Sequence, residues 1–417
     1  MTGSAPPLKA FAACGIELEY MIVDRDTLAV QPIADRLLRD ADGRQLAEVA
    51  RGELAWSNEL VLHVVELKNV RPSANLDALV PRFQAEIGRI DAELARYNAR
   101  LMPTAMHPWM DPARETHVWP HDNAAIYRSF DRIFDCRQHG WANLQSMHVN
   151  LPFADDGEFA RLHAAVRVLL PLLPAIAASS PVAEGQRRRE LDFRMESYRF
   201  HPMRVPSLMG SVIPDNASSR AEYEATVFAP MYRDIAPLDI EGVMQYEWLN
   251  TRAAIPRFDR SALEIRVIDV QECPQADLAI AAATTAVTQA LYENRWSPLE
   301  AQQAIDTATL AAILLDTIRD ADRAVIADPA YLALFGVRGS GCEARELWRH
   351  LLDACAGHPL LTPATQPALD TILARGPLAR RILAALGEPF DRARLTLVYR
   401  QLCDCLAAGR LFTGFER

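Results

Sequence analysis

Carboxylate and imidazole side chains recur on four strand-like segments of the sequence, each framed by apolar residues. The segments and their polar side chains are, in chain order, GIELEYMIVD with Glu17 and Glu19, ELVLHVVELKN with Glu59 and Glu66, SMHVNLPF with His148 and Asn150, and ALEIRVIDV with Glu264, Arg266 and Asp269. If these strands are neighbours, the carboxylates converge and repel one another. Divalent cations remove such repulsion, and carboxylate oxygens are the ligands that Mg²⁺ and Mn²⁺ prefer. The joint pattern therefore predicts a metal site that includes one imidazole.

In the first segment, GIELEYMIVD, acidic and apolar side chains share one strand face. Side chains of a strand alternate between two faces, so Glu17 and Glu19 share a face with Met21 and Val23. The two carboxylates belong to residues whose Cα atoms lie roughly 6.7 Å apart. A solvated face does not usually turn apolar in this way, so the two charges require a neutralising partner.

The second segment presents a geometric difficulty. Glu59 and Glu66 are seven residues apart, and a regular strand over 59–69 would point them to opposite faces. Both side chains reach one site only if a bulge or a bend lies between them.

Other interpretations fit single segments. A glutamate pair on a strand suits a solvated face, His148 alone suits a structural role, and Asp269 suits a strand-end cap. HVWPH spaces His117 and His121 like ligands, but the proline between them and the lack of an adjacent acidic cluster favour a loop. Only the four segments together favour a metal site.

Arginine accompanies the acidic residues. Glu264 and Arg266 share a strand face, and a metal-binding carboxylate beside a guanidinium suits phosphoryl transfer, because arginine stabilises the developing charge. Further arginines are Arg194, Arg199, Arg204, Arg220, Arg252 and Arg257. Most suit surface salt bridges, and one or two suit bidentate binding of a substrate carboxylate. The sequence has no GxxxxGKS/T or GxGxxG motif, so a nucleotide would bind through metal and side chains.

The elements that position these residues follow from periodicity. Strand patterns cover 12–24, 59–69, 99–107, 143–153 and 262–270, and helical patterns cover 75–100, about 156–179 and about 275–293. Two proline- and arginine-rich segments, 184–225 and 230–260, are interpreted as long functional loops. The mixture predicts an α+β fold with helices on one side of an antiparallel or mixed sheet. We expect one domain over 1–297 and a helical C-terminal extension over 298–417, packed on that domain.

Composition limits the possible partners. The chain has 417 residues, 24% of them charged, and a net charge of −10, which argues against nucleic acid. No apolar run approaches the ~18 residues of a membrane span, and MTGSAPPLKAFAAC lacks the apolar core of a signal peptide. Seven cysteines form an odd set without a CxxC pair. We therefore expect a cytoplasmic protein with reduced thiols and no membrane partner.

In series, these motifs resemble those of glutamate–cysteine ligase family 2, the carboxylate–amine ligases of the glutamine synthetase-like superfamily. The resemblance covers about 12–295, and its motifs follow the family's order at similar spacing. They are GIELEYMIVD, ELVLHVVELKN, MHP at 106–108, MHVNLPF, AIAASSPVAEG, ESYR, SVIPDN, EWLNTR and ALEIRVIDV.

The resemblance implies a glutamine synthetase-like catalytic domain, in which a mainly antiparallel sheet lines the active site and carries helices on its other face. It implies binding of ATP and two or three Mg²⁺ ions (or Mn²⁺). A carboxylate, typically the γ-carboxylate of glutamate, would be activated as an acyl phosphate and attacked by an amine, typically that of cysteine, as in glutathione biosynthesis. Ligases of this kind often form homodimers, so a homodimer is one expectation.

Carried over residue by residue, the resemblance implies functions for individual positions. The implied metal ligands are Glu17, Glu19, Glu59, Glu66, His148 and Glu264. The implied catalytic residues are Arg266, which would steady the transferring phosphoryl group, and Glu264. The implied substrate-binding residues are Arg199, Arg194, Asn150 and Arg252.

The chain departs from the family pattern at Ser146, where a histidine is common, and at Asn150, where a small residue is common. These differences affect the identity of the acid and the amine more than the metal chemistry. Two other functions remain open, namely a guanidino phosphotransferase with the same metal site and a nucleotide-binding homologue without catalysis. In the ligase, the segments 184–225 and 230–260 would form a lid that excludes water from the acyl phosphate.

Overall fold

A computed structural model describes residues 7–40 and 42–415 of the chain. The strands in this part of the chain are β1 (Gly15–Asp24), β2 (Glu48–Arg51), β3 (Leu54–Asn58), β4 (Val64–Asn69), β5 (Ala99–Met102), β6 (Ser146–Pro152), β7 (Val182–Ala183), β8 (Gln186–Arg187), β9 (Ala254–Arg257), β10 (Ala262–Asp269), β11 (Val325–Ile326) and β12 (Cys342–Glu343). Eight strands form one antiparallel sheet in the order β2-β3-β4-β1-β6-β10-β9, and β5 also pairs with β1. β7 pairs with β8, and β11 pairs with β12, as two small separate sheets.

Helices surround this sheet and form most of the C-terminal third. They are α1 (Leu79–Leu94), α2 (Pro112–Glu115), α3 (Ala124–Phe134), α4 (His139–Ala142), α5 (Asp156–Leu169), α6 (Pro174–Ala177), α7 (Phe193–Tyr198), α8 (Arg220–Tyr223), α9 (Ala229–Ile235), α10 (Pro274–Tyr292), α11 (Leu299–Ala304), α12 (Thr307–Asp320), α13 (Pro329–Ala333), α14 (Ala344–Ala354), α15 (Gln366–Arg375), α16 (Leu378–Leu386) and α17 (Arg392–Ala408). None of these helices, over the residues described, has the length and apolar composition that a membrane crossing needs.

One face of the sheet is covered by helices. Ile16, Leu18 and Tyr20 of β1 alternate onto this face and are fully buried. They belong to one core with residues of α1, α5 and α10, including Phe83 and Ile87, which recur at the spacing of one helix face. The predicted α+β architecture, with helices packed on the face opposite the acidic side chains, is confirmed.

The opposite face of β1 is covered by helices over only one half. Met21 and Val23 belong to a second buried cluster, which also contains Met102 of β5. The helices α16 and α17 contribute to this cluster through residues such as Ile382 and Leu402. The C-terminal helices thus pack on the apolar half of the β1 face, while the domain boundary at 297/298 stays a prediction.

Two predicted strands are shorter in the structure. The prediction of one strand over 59–69 is wrong at its start, because β3 ends at Asn58 and residues 59–63 connect it to β4. The strand predicted over 99–107 ends at Met102. Apolar residues continue outside the ladder in both places, because Val61 of the first connection and residues 103–107 after β5 are buried.

The interpretation of 184–225 and 230–260 as loops is also wrong in part. These segments contain α7, α8, α9 and β9. Short side-chain caps start two of the helices, since the Asp192 carboxylate accepts from the backbone N–H of Met195 and the Ser219 hydroxyl accepts from that of Glu222. The abundance of proline and arginine obscured these local signals.

Candidate active site

The sheet register brings the predicted acidic residues together in the middle of the sheet. Glu17 of β1 lies opposite Lys68 of β4 on one side and opposite His148 of β6 on the other. Glu19, two residues further along β1, lies opposite Glu66 of β4. Three strands that are distant in sequence therefore project their polar side chains from one face.

The hairpin between β3 and β4 resolves the spacing of Glu59 and Glu66. Ser57 of β3 is the ladder partner of Glu66, and its hydroxyl donates to Glu66 Oε1 at 2.6 Å. Glu59 follows two residues after Ser57, just beyond the end of β3. A complete chain reversal, not a bulge, lies between the two glutamates and brings them to the same site.

The carboxylates form two groups of candidate metal ligands that share one residue. Glu17, Glu66 and His148 each offer one ligand atom within 4.8 Å of the others, and so do Glu19, Glu59 and Glu66. Glu19 and Glu66 are buried, with relative exposures of 7% and 5%. Buried carboxylates at this spacing repel one another, so the donor set fits hard divalent cations such as Mg²⁺ or Mn²⁺.

His148 lies at the centre of this group of carboxylates. Its Nδ1 donates to Glu17 Oε2 at 2.9 Å, and its Nε2 lies 3.6 Å from Glu19 Oε1. Burial alone would lower the pKa of His148, but the hydrogen bond to Glu17 and the charges of Glu19 and Glu17 outweigh burial and raise it to about 9. A protonated imidazole thus supplies part of the positive charge that the carboxylates require.

Burial and mutual repulsion change the pKa values of the carboxylates themselves. Burial, followed by the charges of Glu19 and Glu66, raises the pKa of Glu59 well above its ordinary value. Burial also raises the pKa of Glu19 and that of Glu66. Glu17 is the exception, because the hydrogen bond and charge of His148 outweigh burial and lower its pKa. The Glu59 side of the cluster therefore carries the least compensated charge.

A β-bulge places the catalytic arginine predicted from the sequence. Ile265 pairs with Val149 but Ile268 pairs with Met147, so two residues of β10, Arg266 and Val267, lie opposite a single residue of β6. The bulge shifts the alternation of β10 by one residue. Asp269, five residues after Glu264, consequently lies opposite Ser146.

Two arginines bind the carboxylate of Glu264. Arg266 Nη2 lies 2.5 Å from Glu264 Oε1, and Arg257 Nη1 lies 3.2 Å from Glu264 Oε2. Burial raises the pKa of Glu264, but the charges of Arg266, His148 and Arg257 outweigh burial and lower it to about 2. His148 Nδ1 is 3.8 Å from Glu264 Oε1, so this pair adjoins the acidic cluster. The assignment of Glu264 as a metal ligand stays a prediction.

The four predicted substrate-binding residues occupy different environments. Asn150 Nδ2 donates to Glu17 Oε1 at 3.0 Å, which places it at the cluster. Arg194 is buried, donates to the carbonyl of Arg266 at 2.9 Å, and pairs with Asp269 at 3.4 Å. These two contacts support the bulge, and the role of Arg194 as an anchor stays a prediction.

The other two predicted anchors contact other parts of the chain. Arg199 forms a bidentate pair with Glu196, with N–O distances of 2.7 and 3.0 Å. Arg252 is buried and donates to the carbonyls of Ser207 and Leu208 at 3.1 and 3.3 Å. The contacts of Arg252 are structural, while Arg199 remains partly exposed to solvent.

Sequence reasoning missed three residues of the site. Lys68 Nζ lies 3.1 Å from Glu66 Oε1, and alternation in VVELKN places it on the same face as Glu66. Ser146 donates to Glu19 Oε2 through both its backbone N–H, at 2.6 Å, and its hydroxyl, at 3.0 Å. Arg257 was included only among the loop arginines, because β9 was not recognised as a strand.

Comparisons with known proteins identify the family of the chain. The family model of glutamate-cysteine ligase family 2 matches residues 13–386. An uncharacterised protein of Archaeoglobus fulgidus is 36% identical over 280 residues, which cover 67% of this chain and 75% of the relative. A protein of Rubrobacter xylanophilus that carries the provisional name glutamate–cysteine ligase 2-3 is 28% identical over 301 residues, covering 70% of this chain and 72% of the relative.

A solved structure shows the same fold. The crystal structure of glutamate–cysteine ligase from Francisella tularensis in complex with AMP superposes with a TM-score of 0.55 at 14% identity. The superposition covers 97% of this chain and 89% of that chain. The antiparallel sheet with its acidic face is therefore the sheet of a glutamine synthetase-like ligase fold, and the chain belongs to glutamate-cysteine ligase family 2.

Proposed function

We propose that this protein is an ATP-dependent carboxylate–amine ligase that activates a carboxylate as an acyl phosphate. One observation carries the proposal: Glu17, Glu19, Glu59, Glu66 and His148 converge on one sheet face as two overlapping groups of ligand atoms. Buried carboxylates in this number are costly unless positive charge neutralises them. Family membership and the AMP complex of the Francisella ligase support a nucleotide as the source of the phosphoryl group.

The same cluster fits Mg²⁺ or Mn²⁺. In the proposal, Glu17, Glu66 and His148 hold one ion, and Glu19, Glu59 and Glu66 hold a second. A bound divalent cation would withdraw charge from phosphate oxygens and make the γ-phosphorus electrophilic. His148 would lose a proton when it binds the ion, because only the neutral imidazole binds metal.

We assign Arg266 and Arg257 the binding of the transferring phosphoryl group. Both guanidinium groups lie on the carboxylate of Glu264, an anion whose shape and charge approximate those of a phosphoryl group. In the proposal, Glu264 serves as a metal ligand when nucleotide is bound, and the two arginines turn their free N–H groups to the phosphoryl oxygens. Arg194 holds the Arg266 backbone through the carbonyl contact described above.

The reaction has two steps. A carboxylate oxygen of the acid attacks the γ-phosphorus of ATP, the bond to the bridging oxygen breaks, and ADP leaves. The amine nitrogen then attacks the acyl carbon, inorganic phosphate leaves with the carboxylate oxygen, and the amine loses a proton as the amide forms. We propose glutamate, through its γ-carboxylate, as the acid and cysteine or another amino compound as the amine, in line with the names of the relatives.

The substrate α-carboxylate requires its own partner. Arg199 is the most available of the predicted anchors, since its side chain is 28% exposed and its carboxylate partner Glu196 lies on the same short helix. We assign Arg194 and Arg252 secondary roles in this proposal because both are buried and already donate to backbone carbonyls. The segments 184–225 and 230–260 are the proposed lid that keeps water from the acyl phosphate.

An ADP-release screen tests the proposal. Amino acids are crossed with amines, with ATP and Mg²⁺ present, and the expected result is ADP and inorganic phosphate only when an acid and an amine are both supplied. Glu264→Gln should lower turnover by roughly two orders of magnitude, the scale of losing one important electrostatic contact. Glu53→Gln, the same substitution at an exposed glutamate that pairs with Arg82, is the matched control.

Three results would contradict the ligase assignment. Folded protein that binds ATP but releases no ADP with any pair would indicate a binding protein. A stable phosphorylated product without inorganic phosphate would indicate a phosphotransferase. Turnover that persists in EDTA would exclude the metal-dependent mechanism.

A further inference from the structure

A cavity lies among the C-terminal helices, outside the acidic cluster. Its volume is about 460 Å³, and α15, α16, α17 and the segment 413–415 form its walls. Three arginines line it, namely Arg375, Arg381 and Arg394. No side chain of the acidic cluster contributes to its lining.

Arg381 is the most deeply buried of these arginines, at 4% relative exposure. Its Nη1 donates to Glu272 Oε1 and to the carbonyl of Phe412, the latter at 2.7 Å. Its Nε and Nη2 have no hydrogen-bond acceptor among the described residues of the protein. Two donors of a buried cation are therefore left without an acceptor, so the positive charge of Arg381 beside the cavity is only partly compensated.

Unlike Arg381, which pairs with Glu272, the other two arginines have no carboxylate partner in the part of the chain that the structure describes. Arg375 Nη1 donates to the carbonyl of Thr413 at 3.1 Å, and Arg394 Nε donates to that of Ala385 at 3.0 Å. The guanidinium carbon of Arg394 lies 4.3 Å from the ring centroid of Phe415. These contacts orient the side chains but leave their charges unneutralised.

The local charge is therefore opposite to that of the whole chain. Among residues 7–40 and 42–415, the three guanidinium groups face one buried carboxylate, that of Glu272, whereas the chain as a whole has a net charge of −10. A concentration of arginine that is not neutralised by neighbouring acids is the usual environment of a bound anion, because the guanidinium fork matches the oxygens of phosphate and carboxylate.

We propose that this cavity, which we call the arginine cavity, binds a small organic anion through a phosphate or carboxylate group. Its volume lies in the range of small-molecule sites. Ala384, Ala385 and Phe415 provide an apolar wall beside the arginines, which suits a ligand that has a carbon skeleton as well as an anionic group. The site is separate from the catalytic cluster and does not depend on the function proposed above.

Thermal unfolding with citrate, inorganic phosphate and pyrophosphate tests the arginine cavity. Ionic strength is held constant with KCl, so that screening is the same in every sample. The expected result is a saturable rise of the melting temperature with at least one of the three anions. Comparison of citrate with the phosphates decides which anionic group the cavity prefers.

Variants locate the binding. Arg394→Gln should weaken the apparent affinity by about tenfold or more, the scale of one lost charge-assisted contact. Arg400→Gln is the matched control, since Arg400 lies on the same helix but its Nη2 donates to the carbonyl of Asp26 at 2.6 Å. In Arg266→Gln, the part of the anion-induced shift that depends on Arg394 should persist, because Arg394 lies outside the catalytic cluster.

A second variant keeps the test valid if Arg394→Gln does not fold. Ala384 is exposed on α16 and lines the cavity, so Ala384→Glu adds a competing carboxylate there while Ala384→Gln does not. Ala384→Glu should abolish the anion-induced shift, and Ala384→Gln should retain it. The proposal is overturned if no anion gives a saturable shift, or if Arg266→Gln removes the shift and Arg394→Gln and Ala384→Glu do not.

Discussion

The two halves of one face of β1 behave in opposite ways. Glu17 and Glu19 lie among carboxylates, a histidine and cations, whereas Met21 and Val23, on the same face, lie in a dry cluster with the C-terminal helices. The backbone of β1 is the same regular strand in both halves. The side chains that surround each half therefore decide whether it is polar or apolar. The position at which the strand face turns apolar is the edge of the site.

Histidines on the two sides of this edge show the same contrast. Burial lowers the pKa of His148, but the surrounding carboxylates outweigh it and raise the pKa to about 9. Burial lowers the pKa of His107 to about 3, because its one hydrogen bond to a carbonyl, that of Leu28, raises the pKa by less than burial lowers it. Leu28 belongs to the apolar cluster. The imidazole of His148 is thus a cation and that of His107 is neutral, because only the acidic half supplies negative charge.

Glu66→Gln tests the acidic half and has the largest expected effect. Glu66 belongs to both groups of candidate ligands, so its loss should lower turnover by roughly 10²–10³-fold. The measurement is ADP release at saturating Mg²⁺, with the melting temperature recorded beside it. Glu48→Gln is the control, since Glu48 also pairs with Lys68 but is half exposed on β2. Turnover within about threefold of the wild type in Glu66→Gln would contradict the shared-ligand assignment.

Leu402→Ala tests the apolar half. Leu402 is fully buried against the sheet, and its truncation should lower the free energy of unfolding by about 3 kcal/mol. Turnover of the folded protein at 20 °C should change by no more than about twofold. Leu397→Ala, an exposed position on the same helix, should change stability by less than about 0.5 kcal/mol. Unfolding in urea and ADP release separate the two quantities, and lost turnover at unchanged stability would show that the halves are not independent.

His107 tests the contrast between histidines through pH. Its pKa is lower in the folded than in the unfolded protein, so between about pH 3 and 6.5 the unfolded state binds the additional proton. Stability is therefore lost as pH falls below the unfolded pKa, by about 1.4 kcal/mol from His107 between pH 7.5 and 5.5. His107→Gln should remove this part of the pH dependence in urea unfolding. An equal loss in both proteins would show that His107 is not the titrating group.

Glu59→Gln has the smallest expected effect and tests how one carboxylate of the acidic half affects stability. Replacement of Glu59 by a neutral side chain should raise the free energy of unfolding in EDTA, because burial and the charges of Glu19 and Glu66 disfavour the ionised form of Glu59. The same variant should lose most of the stabilisation that Mg²⁺ gives the wild type. Urea unfolding with and without Mg²⁺ measures both, and Glu53→Gln, in an exposed pair with Arg82, is the control. A less stable Glu59→Gln protein in EDTA would mean that Glu59 stabilises the metal-free fold.

Much of the fold and of the acidic cluster was predictable from local pattern. Alternation in GIELEYMIVD correctly separates the helix-covered face, with Ile16 and Leu18, from the face of Glu17 and Glu19, because the side-chain period of a strand is fixed by its backbone. The apolar spacing of α1 likewise identifies its buried stripe. The place of Arg257 was missed, because four residues of β9 containing a proline give too weak a strand signal.

The sequence by itself determined which side chains are available for chemistry, the alternation that groups them, and the family to which the chain is similar, since all three depend on residue identity and short-range spacing. Tertiary structure alone decided that Glu59 and Glu66 meet across a hairpin, that the bulge at Arg266 turns Asp269 toward Ser146, and that α16 and α17 cover Met21 and Val23. These outcomes depend on register and packing between segments up to several hundred residues apart. Such contacts are selected by the burial and pairing energies of the whole chain, which no local window of sequence contains.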